Sequence, residues 1–432
     1  MGSIGTGGFA TLPGLVLVYY LTDSLGVTAL AAGIVMTLAK IWDVLIDPII
    51  GGLSDRVLAA SGSRRGPMLL GAFGLPVAFF LTFAVPSGLV PFWSGVWVLV
   101  SFTAAATFFS LFQVPYVALP AELTNGYRER TRLLTWRVVV LTLAILLFGA
   151  GGPELRGMFP DDPLRGYLVM AAVAGVVLCA GLVIGSTTAP KRVVPVAEPP
   201  TISPIRYYRD GIRVLRQSQP FRALLGTFFL QALATGLMLA GAQFVATWLL
   251  RDEGAVTVLF ASLIAPALLV APLWQLVAKR VGKERGFRLA SVVFLVATLG
   301  LTPAVWAPGW WIVAPVALAG AAYAGMQTLP MAMLPDVISH DARMRKGRAG
   351  TFGGVWTAGE TTGMALGSTV LTVVLALTGY VESIAGVERQ QPDAAIVGIA
   401  ISFSLLPALL AAASLFTLSR YRLRERDLAE AA

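Results

Sequence analysis

The chain has 432 residues, 56% of them hydrophobic and only 13% charged, with a mean hydropathy of +0.78. That balance excludes a water-soluble domain of this length and points to an integral membrane protein. The net charge of +9 invites a nucleic-acid reading, but the basic residues are dealt out in alternate loops rather than gathered on one surface, which excludes it.

Twelve apolar runs of membrane-spanning length follow one another, predicted at roughly 8–22, 28–53, 67–86, 91–119, 133–152, 166–187, 221–250, 256–279, 286–306, 310–334, 351–379 and 395–419. The first has no basic flank and leads straight into the second, so no cleaved signal peptide is expected. Basic residues recur after the second span (Arg56, Arg64, Arg65) and the fourth (Arg128, Arg130, Arg132). They recur again between the sixth and seventh (Lys191, Arg192, Arg206, Arg209, Arg213, Arg216) and after the eighth (Lys279, Arg280, Lys283, Arg285, Arg288). Arg343, Arg345, Lys346 and Arg348 follow the tenth span, and the tail carries more from Arg420 onward. The other loops hold only Arg156, Arg165, Arg251 and Arg389. The positive-inside rule then puts both termini in the cytoplasm, and Trp93, Trp306, Trp310 and Trp311 form an aromatic belt on the other face. Short loops and an Ala-, Gly- and Arg-rich chain fit a bacterial inner membrane. One cysteine (Cys179) and one histidine (His340) exclude a metal site built from those residues.

The hydrophilic stretch 189–220 divides the spans into an N-terminal six-helix bundle, 1–188, and a C-terminal one, 221–419, with a cytoplasmic tail at 420–432. The halves echo one another. Pro115 to Glu122 ends the fourth span and Pro330 to Asp336 the tenth, each before an arginine-rich loop. Asp55-Arg56 after the second span matches Lys279-Arg280 after the eighth. A six-span offset in both cases predicts an all-α membrane protein of two pseudo-symmetric six-helix bundles, the major facilitator architecture.

The second span holds the most informative residues. Lys40, Asp43 and Asp47 sit inside an otherwise apolar helix, where a charge costs a few kcal/mol and persists only with a partner or a task. Asp43 and Asp47 are one turn apart on one face. Two carboxylates stacked in a poor dielectric must share a proton, a metal cation or a basic side chain. Two readings stay open: a coupling-ion site, or a structural ion pair with Lys40 or Arg137. Glu360, inside the eleventh span, is either a second protonation or substrate-contact group or a salt-bridge partner. Gln113, Gln231, Gln243 and Gln327 either line a polar cavity or hydrogen-bond between helices.

Several segments resemble the glycoside–pentoside–hexuronide:cation symporters of the major facilitator superfamily, the family that includes the melibiose permease. They are Tyr20-Leu21-Thr22-Asp23, Lys40-Ile-Trp42-Asp43-x-x-x-Asp47-Pro48, Gly51-x-x-x-Asp55-Arg56 with Arg64-Arg65-Gly66, Val114-Pro115-Tyr116 with Glu122-Leu123-Thr124, and Pro335-Asp336-Val337 with Arg348-Ala349-Gly350. The resemblance implies a cation-coupled symporter of a glycoside or similar small organic solute, working by alternating access, with no cofactor beyond its coupling ion. It assigns the cation or proton site to Asp43, Asp47 and Ser110, with Lys40 beside them, and a cytoplasmic gating network to Asp55, Arg56, Arg64, Arg65, Glu122 and Asp336. Glu122 and Asp336 are expected to pair with loop arginines.

The departures from the family pattern matter as much. Its asparagine before the second aspartate is Ile46 here, which removes an amide oxygen and favours H⁺ over Na⁺ at Asp43 and Asp47. Its helix-one Lys-Asp pair is replaced by Thr6 and Gly7, its helix-four aspartate by Gln113, and its eleventh-span lysine by Glu360. Gln113, Arg137, Gln327, Trp356 and Glu360 remain as the expected substrate pocket. With most acidic sugar ligands gone, a carrier for an amphiphile or lysolipid-like molecule is the alternative, and a non-transporting protein on the same fold a further one. An intramembrane prenyltransferase is disfavoured for want of a second Asp-rich loop. The chain is read as a monomer in the bilayer with a small-molecule substrate.

Overall fold

The computed structural model describes residues 2–123, 127–190, 204–344, 349–387, 389–421 and 423. Twelve helices long and apolar enough to cross a membrane follow in chain order, with no strand among the described residues. In the first half they are α1 Gly2–Ser24, α2 Ala29–Ser61, α3 Arg65–Phe83, α4 Pro91–Leu123, α5 Tyr127–Gly157 and α6 Pro163–Thr187. In the second they are α7 Gln219–Leu249, α8 Ala255–Val281, α9 Lys283–Leu299, α10 Val313–Met344, α11 Ala349–Leu377 and α12 Asp393–Ser419. A separate linker helix, Pro204–Gln217, precedes α7.

The chain divides into two compact units, residues 1–204 with 380–390, and 205–379 with 391–432. In the first unit α1 packs on α5 and α6, α3 on α4 and α6, and α2 on α4. In the second, α7 packs on α11 and α12, α9 on α10 and α12, and α8 on α10. The pairing is the same after a shift of six helices, so the repeat legible in the loop motifs extends to the packing. Even the irregularities repeat: α1 ends in a π-turn at Tyr20–Ser24 and α7 in one at Val245–Leu249.

Several helix ends run past the predicted spans, among them those of α2 and α1. The span predicted from residue 28 to 53 continues to Ser61, because its charged end still satisfies the helical ladder until Gly62, at φ 71°, closes it in the left-handed region. Its start is capped by the Thr28 hydroxyl, which accepts from the Ala31 N–H. The first span begins at Gly2 rather than near residue 8. Residues 2–8 have little apolar character of their own, but their glycines let neighbours approach. A Cβ on Gly5 would fall 2.2 Å from Leu182, and one on Gly8 2.7 Å from Phe148. Close packing, not propensity, makes this turn helical.

Along α2, Leu30, Ile34, Leu38, Ile41, Leu45, Ile49 and Leu53 are exposed at helical spacing, the surface a lipid environment would cover. Trp93, Trp306, Trp310 and Trp311 are exposed as well.

The segment 380–390 joins α11 to α12 yet belongs to the first unit, as a strap on the ends of α1 and α2. Ser383 and Ala385 donate backbone N–H groups to the carbonyls of Thr22 (3.0 Å) and Ser24 (3.1 Å). The Tyr380 hydroxyl donates to Asp23 Oδ1 at 2.6 Å, and Glu382 Oε1 accepts from the Ala29 N–H at 3.0 Å. Glu382 thus satisfies an orphan donor at the start of α2, where the helix dipole favours negative charge.

Candidate functional site

In the first unit, α2 and α4 bring four of the expected residues together. Lys40 Nζ pairs with Asp43 Oδ2, three residues along the same helix. Ser110 of α4 donates its hydroxyl to Asp43 Oδ1 at 3.3 Å. Asp47 lies one turn further on, within the electrostatic reach of Asp43 and Lys40 and of the Ser110 hydroxyl. Lys40 and Asp43 are half-buried, and Asp47 keeps accessible surface. Trp42 fixes α2 to α4 one turn away, its indole N–H donating to Thr107 Oγ1 at 2.8 Å. Pro48 has no N–H to close the backbone ladder beside Asp47.

A second polar group adjoins this one. Gln113 is one turn from Ser110 on α4 and accepts a hydrogen bond from the Thr6 hydroxyl of α1 at 2.7 Å. The Arg137 guanidinium of α5 lies over the Tyr116 ring, 5.2 Å from its centroid, and the Tyr116 hydroxyl meets Ser3 Oγ at 3.1 Å. Ser3 and Tyr116 were missed as site residues. Pro115-Tyr116 stood in the motif match, but the stretch containing Ser3 carries no apolar period to mark it as helix. Arg137 is set on Tyr116 rather than paired with the α2 acids.

In the second unit, Gln327 Nε2 donates to the Tyr323 hydroxyl at 2.9 Å on α10, and Glu360 of α11 acts on Tyr323 electrostatically. Trp356 does not line a pocket. It is 2% exposed and stacks on Phe228 at 4.5 Å and 17°, so it belongs to the unit's core. The expectation that Trp356 contacts substrate is corrected accordingly: a ring this large gains more by stacking on another helix than by facing a polar opening. Gln231 and Gln243 are also buried; Gln231 Nε2 donates to Ser291 (2.8 Å) and Ser414 (3.2 Å), and Gln243 Nε2 to Thr247 (3.1 Å). Gln231 ties helices together, whereas the Gln243 bond stays within α7.

Of the residues expected in the gating network, Arg64 binds Asp55 at 2.6 Å and donates to Ser54 Oγ at 2.7 Å. Arg56, next along α2, is exposed, and Arg65 opens α3. The Glu122 side chain lies outside the described residues, as do those of the loop arginines after α4 and α10. Asp336 pairs at 2.6 Å with Lys283, at the start of α9. Lys283 also donates to the Ala332 carbonyl at 3.1 Å. Beside this pair, burial and the carboxylates of Asp336 and Glu284 push the Tyr421 phenol above its usual range. Among the described residues no group of His, Cys, Asp and Glu gathers as a metal-binding cluster.

The profile of a family described as MFS/sugar transport protein matches residues 1–425. The chain belongs to that family. It is a multi-pass membrane transporter of the major facilitator type, and not an enzyme. An uncharacterized symporter of Synechocystis is 27% identical over 91% of this chain and 87% of its own length. A glucuronide carrier protein homolog of Escherichia coli is 25% identical over 94% of this chain and 87% of its own. The human sodium-dependent lysophosphatidylcholine symporter 1 is 24% identical over 74% of this chain and 63% of its own. The crystal structure of a D-xylose–proton symporter covers 96% of this chain and 94% of its own with a TM-score of 0.69 at 14% identity, a likeness of fold.

Proposed function

We propose that the protein is a cation-coupled symporter of a glycoside or similar small organic solute, with H⁺ as the favoured ion, bound at Asp43 and Asp47. The observation that carries this is the charge balance on α2. Lys40 neutralises Asp43, which leaves one net negative charge at Asp47, enough for one proton or one monovalent cation. A proton needs only the carboxylate. Na⁺ would want five or six oxygens, and the immediate donors are the two carboxylates and Ser110, with a lysine ammonium already in place and Ile46 where the family has an amide. This supports H⁺ coupling.

Neutralising Asp47 alters the polar group one turn away, where Ser110 and Gln113 share α4 and Gln113 holds Thr6. Substrate contact in the first unit falls to Gln113 and Arg137; Gln327 and Glu360 are the polar candidates of the second unit, considered by itself. Cation and substrate then raise each other's affinity, as linkage requires. The carrier alternates between two conformers, with Asp55–Arg64 and Lys283–Asp336 as cytoplasmic latches, both termini in the cytoplasm of a bacterial inner membrane, and one chain as the working unit.

The deciding experiment is uptake into proteoliposomes under an imposed pH or Na⁺ gradient, with Asp47→Asn as control. Proton-driven accumulation lost in the variant, with exchange retained, is the expected result. Accumulation that follows Na⁺ alone overturns the choice of ion, and unchanged accumulation by Asp47→Asn overturns the site. One observation favours the amphiphile reading: the likeness to a lysophosphatidylcholine symporter, together with the exposed apolar side chain of Val117, one turn beyond Gln113. Competition of uptake by lysolipids but not by sugars would select it.

A further inference from the structure

The linker helix Pro204–Gln217 is strongly amphipathic, and its described side chains fall into four sectors. With successive residues turning by about 100°, Gly211, Val214 and Ser218 share one side. Val214 and Ser218 are buried, and a Cβ on Gly211 would stand 3.0 Å from Val355 at the start of α11. This side is packed against the second unit. Arg209, Arg213 and Arg216 project from the opposite side and are exposed. Between the two sides, one flank carries Leu215 and Ile212, the latter 54% exposed, and the other carries Gln217.

The helix is tied to the end of a span long and apolar enough to cross a membrane. Only Ser218 separates it from α7, and the Ser218 hydroxyl caps α7 by accepting from the Phe221 N–H. Arg222, in the first turn of α7, donates to the carbonyls of Leu215 (3.2 Å) and Arg216 (3.5 Å), satisfying the last turn of the linker helix. A helix held at the end of a membrane span, with an apolar flank, a ridge of arginines and a polar flank in that order, matches the layers of a bilayer interface: acyl boundary, phosphate, water.

We propose that this face of the linker helix is a binding surface for anionic phospholipid of the leaflet on the basic side of the membrane. Arg209, Arg213 and Arg216 engage the headgroup phosphates, and Ile212 and Leu215 lie at the acyl boundary. Guanidinium groups suit phosphate because their planar donors bond it in pairs. Charge complementarity selects the anionic lipid: a zwitterionic headgroup offers the same phosphate with a compensating cation. The bland alternative is a solvated basic face with no lipid preference.

The test uses the full chain in nanodiscs of phosphatidylcholine with and without phosphatidylglycerol. A fluorophore is placed at Gln217→Cys in a Cys179→Ser background, and headgroup-spin-labelled phosphatidylglycerol and phosphatidylcholine are compared as quenchers. The expected result is a several-fold preference for phosphatidylglycerol. It falls to parity in Arg209→Gln/Arg213→Gln/Arg216→Gln and is retained in the corresponding triple lysine variant. Each single glutamine variant lowers it part of the way to parity, because each basic residue near an anionic surface contributes separately. The single variants decide the matter where the triple one fails to fold. Equal quenching by the two lipids in the starting chain, or an undiminished preference in the glutamine variants, overturns the proposal. Uptake is not read out, so the result is independent of which solute or ion the protein carries.

Discussion

The two units share a helix-packing pattern and differ in where they keep charge. Aligning Asp55-Arg56 with Lys279-Arg280 also sets Pro48 against Pro272. Lys40, Asp43 and Asp47 then fall opposite Ile264, Ala267 and Ala271, so α8 is the same helix without the ionisable group. The fifth helix of each unit shows another contrast. In α5 it is a cation, Arg137, that meets a tyrosine of the fourth helix, and in α11 it is an acid, Glu360, that acts on a tyrosine of the tenth. A repeat fixes which helices touch, because that depends on apolar surface and small residues. It leaves the polar positions free to diverge, because each needs only a local partner.

The largest expected effect tests that asymmetry at α2. Asp47→Asn should lose the coupling between cation and substrate binding, a change on the order of 5- to 150-fold in the affinity one ligand confers on the other. Substrate titration at two pH values, with and without Na⁺, measures it. Lys40→Ala should be the most destabilising change at the site, by about 2 kcal/mol. That is below the 3–5 kcal/mol typical of breaking a fully buried pair, roughly in proportion to the access both partners retain. Adding Asp43→Ala should recover most of the loss, and thermal unfolding in detergent gives the cycle; an additive result would mean the two side chains do not act as a pair.

The Arg64–Asp55 and Lys283–Asp336 pairs sharpen the comparison. Arg64 is 12% exposed and binds both Asp55 and Ser54, whereas Lys283 is 45% exposed. Arg64→Ala should therefore cost about 1–2 kcal/mol and Lys283→Ala no more than about 1 kcal/mol. Equal losses would show that exposure does not rank these pairs. The smallest effect is at the strap. Tyr380→Phe removes one hydrogen bond to buried Asp23, about 1 kcal/mol, while the backbone bonds to Thr22 and Ser24 remain. The expected reading is a rise of about fivefold in the labelling rate of a cysteine placed at Ser383.

Some of the site was open to reading from residue order alone. Asp43-x-x-x-Asp47 stands out because an ionisable group in an apolar helix is costly wherever the helix goes, and helical spacing sets the two acids on one face. Lys40 is three residues away, so its pairing with Asp43 follows from the same geometry. Ser110 was reached only through family resemblance, since a hydroxyl in an apolar span is commonplace and its partner is 67 residues away. Thr6 and Ser3 were harder still: the helix that carries them is stabilised by close glycine contacts from other helices, which leave no periodic trace. Trp356 shows the opposite error. It was expected in the substrate pocket, but its ring stacks on Phe228 of another helix.

Residue order by itself determined the membrane class, the twelve spans, the six-span repeat and the charged turn of α2. Each of these rests on local chemistry, namely apolar length, charge cost and helical period. Only the tertiary structure decided which polar side chains meet: Asp43 with Ser110, Gln113 with Thr6, Arg137 with Tyr116, Asp336 with Lys283, and Asp23 with Tyr380. Those contacts depend on how helices approach one another, and a hydrogen bond or ion pair forms only within about 3–4 Å, a precision that spacing along one helix cannot supply across two.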